Sequence, residues 1–274
     1  MGVTVVKIGG EVPAGPLGVD VAALTATGAR VVVVHGGAAA MARLAGRLGV
    51  ALREIVSPDG VVTRRTDAAT LEVLTLALAG DVKPALVVEL VRHGVRAVGL
   101  TGLDAGLVQA RRRAAVRATV DGRTVVLRGD HSGRITGVDG DVLRTLLGAG
   151  LVPVVSPPVL ADDGTPVNAN ADRVAAAIAV ALGARRLVFL TASGGVRADP
   201  DDPASVLARY RLPASGSRPG AGIGGGMRIK LVAAAEALAG GVASVSVGEH
   251  LLPTVRGDAG TLVRPPLSPG PDGL

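Results

Sequence analysis

A chain of 274 residues with 48% apolar side chains is long enough for one large core or two smaller ones, built from alanine, valine and leucine, because it has one Phe, one Tyr and no Trp. With no cysteine there is no disulfide framework, thiolate nucleophile or Cys-based zinc site, and His35, His93, His131 and His250 lack metal-ligand spacing, so no protein-held metal is expected. The net charge of +6 suggests an acidic partner, but nucleic acid is disfavoured: stacking aromatics are nearly absent and no helix-turn-helix or zinc-finger pattern occurs.

Along the chain, short β-branched runs alternate with alanine-rich periodic segments, the pattern of a parallel sheet covered on both faces by helices. The first run, Val3–Ile8, carries Lys7 and ends at Gly9-Gly10, where backbone N–H groups can approach an anion that the lysine also reaches. The second, Val31–His35, delivers Gly36-Gly37 to a helix predicted over Ala38–Leu48, whose free amides and positive dipole end favour an anion. Either motif alone is also an ordinary turn, but together on neighbouring strand ends they favour a phosphate. Helices follow at Asp67–Ala79, capped from Thr66-Asp67, and Pro84–His93, stopped by Gly94, then a strand at Ala97–Leu100.

Runs Val116–Val120 and Val125–Arg128 flank Asp121-Gly122, a hairpin signal. Residues 109–137 around it hold seven arginines against two aspartates, most of the chain's net charge. Two readings stand: a solvated arginine-rich face, or a docking surface for an acidic macromolecule. A helix at Asp139–Ala149 and a strand at Val152–Ser156 come next, and Pro157-Pro158 suggests a boundary between two lobes. Asn168-Ala169-Asn170-Ala171-Asp172 opens a helix over Ala171–Leu182 with more polar groups than a cap needs, leaving Asn168 for a small acceptor and Asp172 to orient two ammonium groups.

After the strand Leu187–Thr191, the Pro-, Ser- and Gly-rich stretch Arg211–Gly226 reads as a loop or lid. Gly220-Ala221-Gly222-Ile223-Gly224-Gly225 formally matches a dinucleotide-binding pattern but follows no strand, and no Walker A lysine exists. Gly224-Gly225-Gly226 then opens a helix, Met227–Ala239, that carries Lys230. A strand at Ser244–Val247 follows, and the tail 265–274 is expected to be disordered.

Only three lysines, Lys7, Lys83 and Lys230, occur among 29 basic residues, two of them in glycine-rich turns. A compact ammonium suits a site that tracks a moving phosphoryl group, and such transfer needs positioning and charge neutralisation more than covalent chemistry. On this reading Lys7 and Lys230 meet the transferring group from opposite lobes and Asp172 holds both.

In this order, Val5-Val6-Lys7-Ile8-Gly9-Gly10, His35-Gly36-Gly37, Arg64-Arg65-Thr66-Asp67, Asn168 to Asp172 and Gly225-Gly226-Met227-Arg228-Ile229-Lys230 resemble the amino-acid kinase family, acetylglutamate kinase branch, from Val3 to Val263. The resemblance implies a three-layer α/β/α sandwich on an open, mostly parallel eight-stranded sheet, with the acyl acceptor in lobe 1–157 and ATP with Mg2+, held through the phosphates, in lobe 158–264. It implies catalysis by Lys7, Lys230 and Asp172, acceptor binding by Gly36, Gly37, Arg64 and Asn168, and nucleotide binding by Gly9, Gly10, Thr191, Gly225, Gly226 and Met227. A homodimer is implied by resemblance alone.

Two further segments, Ser57–Arg64 and Gly99–Asp104 leading to Arg128-Gly129-Asp130-His131-Ser132-Gly133, look like kinases whose glutamate or 2-aminoadipate is tethered to a small acidic amino-group carrier protein. That makes Arg111, Arg112, Arg113, Arg117 and Arg128 docking candidates. An N-acetyl-L-glutamate 5-kinase, or a catalytically silent regulator, remains an alternative. The chain departs from the family at Ala192, which replaces a usual acid, and at Ala38, which replaces a common third glycine; Lys83 is out of register with an Asn-Lys pair and is assigned no catalytic role. No secretory signal and no apolar run of membrane-spanning length are found, so a cytoplasmic protein without a membrane partner is expected.

Overall fold

The computed structural model describes residues 2–10, 12–56, 62–113, 115–120, 123–214 and 223–267. In chain order the elements are β1 (Val3–Ile8), α1 (Ala14–Ala26), β2 (Arg30–His35), α2 (Ala38–Leu48), β3 (Glu54–Val56), β4 (Val62–Arg64), α3 (Ala68–Thr75), a π-helical stretch (Leu76–Val82) and α4 (Lys83–Arg92). They continue with β5 (Ala97–Gly102), β6 (Val108–Arg112), β7 (Ala115–Val120), β8 (Arg123–Arg128), β9 (Gly133–Val138), α5 (Gly140–Gly148), β10 (Val152–Ala161) and β11 (Pro166–Val167). The last are α6 (Ala171–Ala181), β12 (Arg186–Leu190), β13 (Arg209–Arg211), α7 (Gly225–Ala239), β14 (Ser244–Gly248), α8 (Leu251–Arg256) and β15 (Thr261–Arg264).

The main sheet runs β13-β15-β14-β12-β1-β2-β10-β6-β9, with β5 and β11 also pairing to β10. Its central pairs are parallel, Val5 lying opposite Val32 on β2 and Leu187 on β12. Helices cover both faces, so β1 and β2 are apolar on both sides. Val5, Val32, Val34, Leu187 and Phe189 pack with residues of α5, α6 and α7, whereas Val6, Val31, Val33, Val188 and Leu190 pack with residues of α1, α4 and α8. The expected sandwich is therefore present. Among the described residues its sheet holds eleven strands rather than eight, because short strands such as β11 and β13 join its margins. One strand, β10, runs unbroken through Pro157-Pro158.

Two local features depart from the sequence reading. Gly15, Pro16 and Gly18 mask α1, yet Pro16 sits in its first turn, where a missing N–H costs nothing. A Cβ at Gly18 would lie 2.4 Å from His93 Cδ2, so the partly exposed imidazole packs over this glycine and would have to shift for a larger residue. The helices expected at Asp67–Ala79 and Pro84–His93 are joined without a loop by the π-helical turns. Pro84 cannot donate to the Gly80 carbonyl, and a wider turn avoids the ring clash. These turns press Leu78 against Gly37, whose Cβ would meet Leu78 Cδ2 at 2.4 Å.

The expected hairpin pairs Ala115 with Arg128 through Val120 with Arg123; its turn, 121–122, lies outside the described residues. It belongs to a separate four-stranded sheet, β4-β3-β7-β8, that sequence patterning does not reveal. Buried Asp130 ties this sheet to the main one, accepting from Thr66 N at 3.2 Å and Ser132 N at 2.8 Å. Of the segment 57–64 only β4 is described, and residues 215–222 and 268–274 also fall outside the description.

His35 is buried at the end of β2, its Nδ1 donating to the Gly36 carbonyl at 2.9 Å while Nε2 has no hydrogen-bond partner. Burial lowers its pKa from 6.5 to about 4, against the raising effect of the Gly36 bond and with help from the Lys83 and Lys7 ammoniums. Lys83, threaded beside Gly99, is itself lowered by burial to about 8, partly offset by Asp104. Between pH 6.5 and 4 the unfolded chain therefore binds a proton at His35 that the folded chain excludes, so stability is lost as pH falls through that window. His35→Asn keeps an N–H for Gly36; in urea titrations it is expected to remove up to roughly 3 kcal/mol of this acid destabilisation. An unchanged pH slope would mean that folded His35 is protonated normally.

Candidate active site

The C-terminal ends of β1, β2 and β12 lie side by side, and there the chain turns through glycine. Gly9 donates to the Leu190 carbonyl at 3.0 Å, and a Cβ on Gly9 would stand 3.0 Å from that same oxygen, so the turn passes tightly over β12. Gly224 caps α7 and Gly225 takes a left-handed φ of 52°, which favours glycine. A cavity of about 700 Å³ opens at these turns, lined by Lys7, Gly9, Gly10, Thr191, Gly226, Met227 and Lys230 among others. Five of the six residues expected to bind nucleotide line it, and Gly225 sits between two lining residues, Gly224 and Gly226.

At one side of this cavity stands Asp172. Lys7 Nζ lies 2.9 Å from its Oδ1 and Lys230 Nζ 3.5 Å from its Oδ2. All three are buried, at 7%, 5% and 8% exposure for Lys7, Asp172 and Lys230. Taking such charges out of water is costly unless they are paired, so this arrangement fixes how β1, α6 and α7 meet.

The three polar residues before and within α6 have separate tasks. Asn170 is the cap, its Oδ1 accepting from Asp172 N at 2.9 Å and Arg173 N at 3.2 Å, which sets the first turn and with it the Asp172 carboxylate. Asn168 Nδ2 donates to Thr66 Oγ1 at 3.1 Å. Arg173 reaches Glu236 on α7, Nε 3.0 Å from Oε2 and Nη2 against Oε1, and so holds the Lys230 helix beside α6.

The four acceptor candidates lie around the end of β2 and the edge of the second sheet. A Cβ on Gly36 would stand 3.6 Å from Ala171 Cβ, one residue before Asp172. Gly37 precedes Ala38 and Ala39, which line the cavity. Arg64 ends β4, its Nη1 3.1 Å from Met41 Sδ on α2. Asn168 shares a backbone network with this edge: His131 N donates to the Thr66 carbonyl at 2.7 Å and Asn168 N to the His131 carbonyl at 2.7 Å. Sequence reasoning missed Thr66, Asp130 and His131 as supports; the signal is the short polar run Gly129-Asp130-His131-Ser132.

The arginines divide between two sheets. Arg111 and Arg112 are on β6, with Arg113 just beyond, and with Arg134 they line a recess of about 450 Å³, whereas Arg117 and Arg128 are on the β7–β8 hairpin. The stretch 109–137 is thus an outer strand pair enclosing an inner one, rather than a single hairpin. Arg111 and Arg112 lie 3.6 Å from Asp162 and Asp163, surface pairs of little energetic weight. Among the described residues no group of three or more His, Asp or Glu could hold a metal ion, and no helix is long and apolar enough to cross a membrane.

The sequence pattern of the amino acid kinase family matches residues 2–249. A LysW-aminoadipate kinase of Deinococcus radiodurans is 36% identical over 248 residues, 89% of this chain and 84% of that protein. An acetylglutamate kinase of Symbiobacterium thermophilum is 41% identical over 235 residues, 85% of this chain and 78% of that protein. Among solved structures, smu.665 from Streptococcus mutans superposes with a TM-score of 0.76 at 26% identity, covering 95% of this chain and 98% of that one. Agreement of this extent, along most of both partners, makes this chain a member of the amino acid kinase family.

Proposed function

We propose that this chain transfers the γ-phosphoryl group of ATP to the side-chain carboxylate of glutamate or 2-aminoadipate carried on a small acidic amino-group carrier protein. As a family member with kinase relatives, it is an ATP-dependent carboxyl-group kinase of amino acid biosynthesis; the tethered acceptor is the finer reading. The observation that carries it is the pair of ammoniums on Asp172 at a cavity lined by glycine turns.

In this reading an acceptor carboxylate oxygen, placed near Gly36, Gly37, Arg64 and Asn168, attacks the γ-phosphorus. The new O–P bond gives an acyl phosphate as the bond to the β-phosphate oxygen breaks and ADP leaves. Lys7 and Lys230 neutralise the charge spread over the moving group, and Asp172 keeps both in place before the reaction begins. Among the described residues no carboxylate lines the cavity, so Mg2+ would be held through the nucleotide phosphates and would offset their charge. Lobe 1–157 would hold the acceptor and lobe 158–264 the nucleotide, with Lys7, Gly9 and Gly10 crossing to the nucleotide side.

The arginines support the carrier. A positive surface split across β6, β9 and the hairpin steers an acidic protein, and mutual attraction of this kind acts mainly on encounter rate. The Symbiobacterium relative favours a second reading, phosphorylation of free N-acetyl-L-glutamate. With ATP and hydroxylamine, hydroxamate is expected only when the amino acid is carrier-linked; efficient turnover of free N-acetylglutamate would select the second reading, and no ATP consumption with any acceptor would leave a silent regulator.

In the same assay Lys7→Ala and Lys230→Ala should each lower kcat by roughly two to three orders of magnitude, and near-normal turnover in either would remove that lysine from the mechanism. Charge reversal at Arg117 and Arg128 should raise KM for the carrier and weaken its salt dependence while KM for ATP holds. An unchanged carrier KM would return these arginines to a solvated face.

A further inference from the structure

The cavity lining contains a third cation beside the two lysines, Arg197, and among the described residues no acidic side chain. Its backbone is held on both sides. Arg197 bridges to Val206, Ala198 N donates to the Ser205 carbonyl at 2.9 Å, and on its other side Val196 N donates to Thr261 Oγ1 at 2.9 Å while Leu207 N donates to the Val196 carbonyl at 2.8 Å. Arg197 Nη1 donates to the Pro200 carbonyl at 3.2 Å, and Pro200 also lines the cavity. Nε, by contrast, is buried with no hydrogen-bond partner. A buried N–H on a guanidinium is costly to leave unsatisfied, and natural structures rarely leave one without a functional reason.

We infer that Arg197 binds the polyphosphate of the nucleotide, donating its buried Nε–H to a phosphate oxygen outside the transferring group. The inference rests on the nucleotide reading of the cavity. A planar guanidinium with one edge anchored on Pro200 offers its remaining N–H groups in a fixed direction, the geometry that suits phosphate oxygens. Lys7 and Lys230 are engaged with Asp172, whereas among the described residues no acid pairs with Arg197. Arg197 therefore contributes charge toward a polyanion without a competing carboxylate. Since its ligand atoms do not change bonding in the reaction, it contributes equally to ground state and transition state, which places its effect in KM for ATP rather than kcat.

The test is binding of ADP, inorganic tripolyphosphate and adenosine by calorimetry, alongside steady-state kinetics, for the full chain and for Arg197→Leu and Arg197→Lys. For Arg197→Leu, ADP and tripolyphosphate should bind roughly 10- to 100-fold more weakly, the scale of a charged hydrogen bond, while adenosine binding and kcat stay within about threefold. Arg197→Lys should recover part of the loss, because charge returns without the planar fork, and melting temperatures of both variants should match the parent. Equal weakening of adenosine and tripolyphosphate, or a fall in kcat with KM for ATP unchanged, would overturn the assignment. So would unaltered ADP binding in Arg197→Leu. If the unaltered chain bound neither ADP nor tripolyphosphate, the nucleotide reading itself would fall, an outcome distinct from failure of Arg197 alone.

Discussion

One buried carboxylate facing two buried ammoniums is the constraint around which this molecule is organised. Lys7, Asp172 and Lys230 come from β1, α6 and α7, and none of them reaches 9% exposure. Charges so far from water are tolerated only in each other's company, because the desolvation of an unpaired ion outweighs most packing gains. β1 must therefore end beside the start of α6, and α7 must begin on the same side of the sheet.

Glycine makes that convergence sterically possible. Gly9 crosses within contact of the Leu190 carbonyl, and Gly37 lies where Leu78 of the π-helical stretch would clash with any side chain. Small residues at Ala38, Ala39 and Ala171 continue the pattern, so backbone rather than side chain walls the junction of β1, β2 and α6. A floor of this kind favours a ligand recognised by N–H groups and charge. The polar network through Thr66, Asp130, His131 and Asn168 holds the second sheet against this junction, so hydrogen bonds help to position the strand bearing Arg64.

The basic surface is built on different terms. Its arginines are mostly exposed and salt-screened, and the acids near them, Asp162 and Asp163, add little stability. Exposed charge of this kind acts on the approach and orientation of a macromolecule more than on bond making. On the proposed reading, recognition and chemistry would fall to separate parts of the chain, one on the margin of the main sheet and the hairpin, the other at its centre.

Much of this was legible in one dimension because its causes are local. Both-faces-apolar strands at Val3–Ile8 and Val31–His35, glycine turns after them, and the Asn168 to Asp172 cap are short-range patterns, and the scarcity of lysine singled out Lys7 and Lys230. The membership of β7 and β8 in a second sheet, the π-helical join before Pro84, and helix α1 behind its Gly and Pro residues were not readable, since each depends on what packs against it. Arg197 gave no sequence signal either, and the polar run around Asp130 did not say what it holds: a buried carboxylate and an orphaned N–H acquire meaning from neighbours distant in the chain. Sequence by itself determined the kind of fold and the residue types of the candidate site, through local sterics and periodicity; tertiary structure alone decided which charges meet, because long-range pairing depends on how the sheet orders its strands.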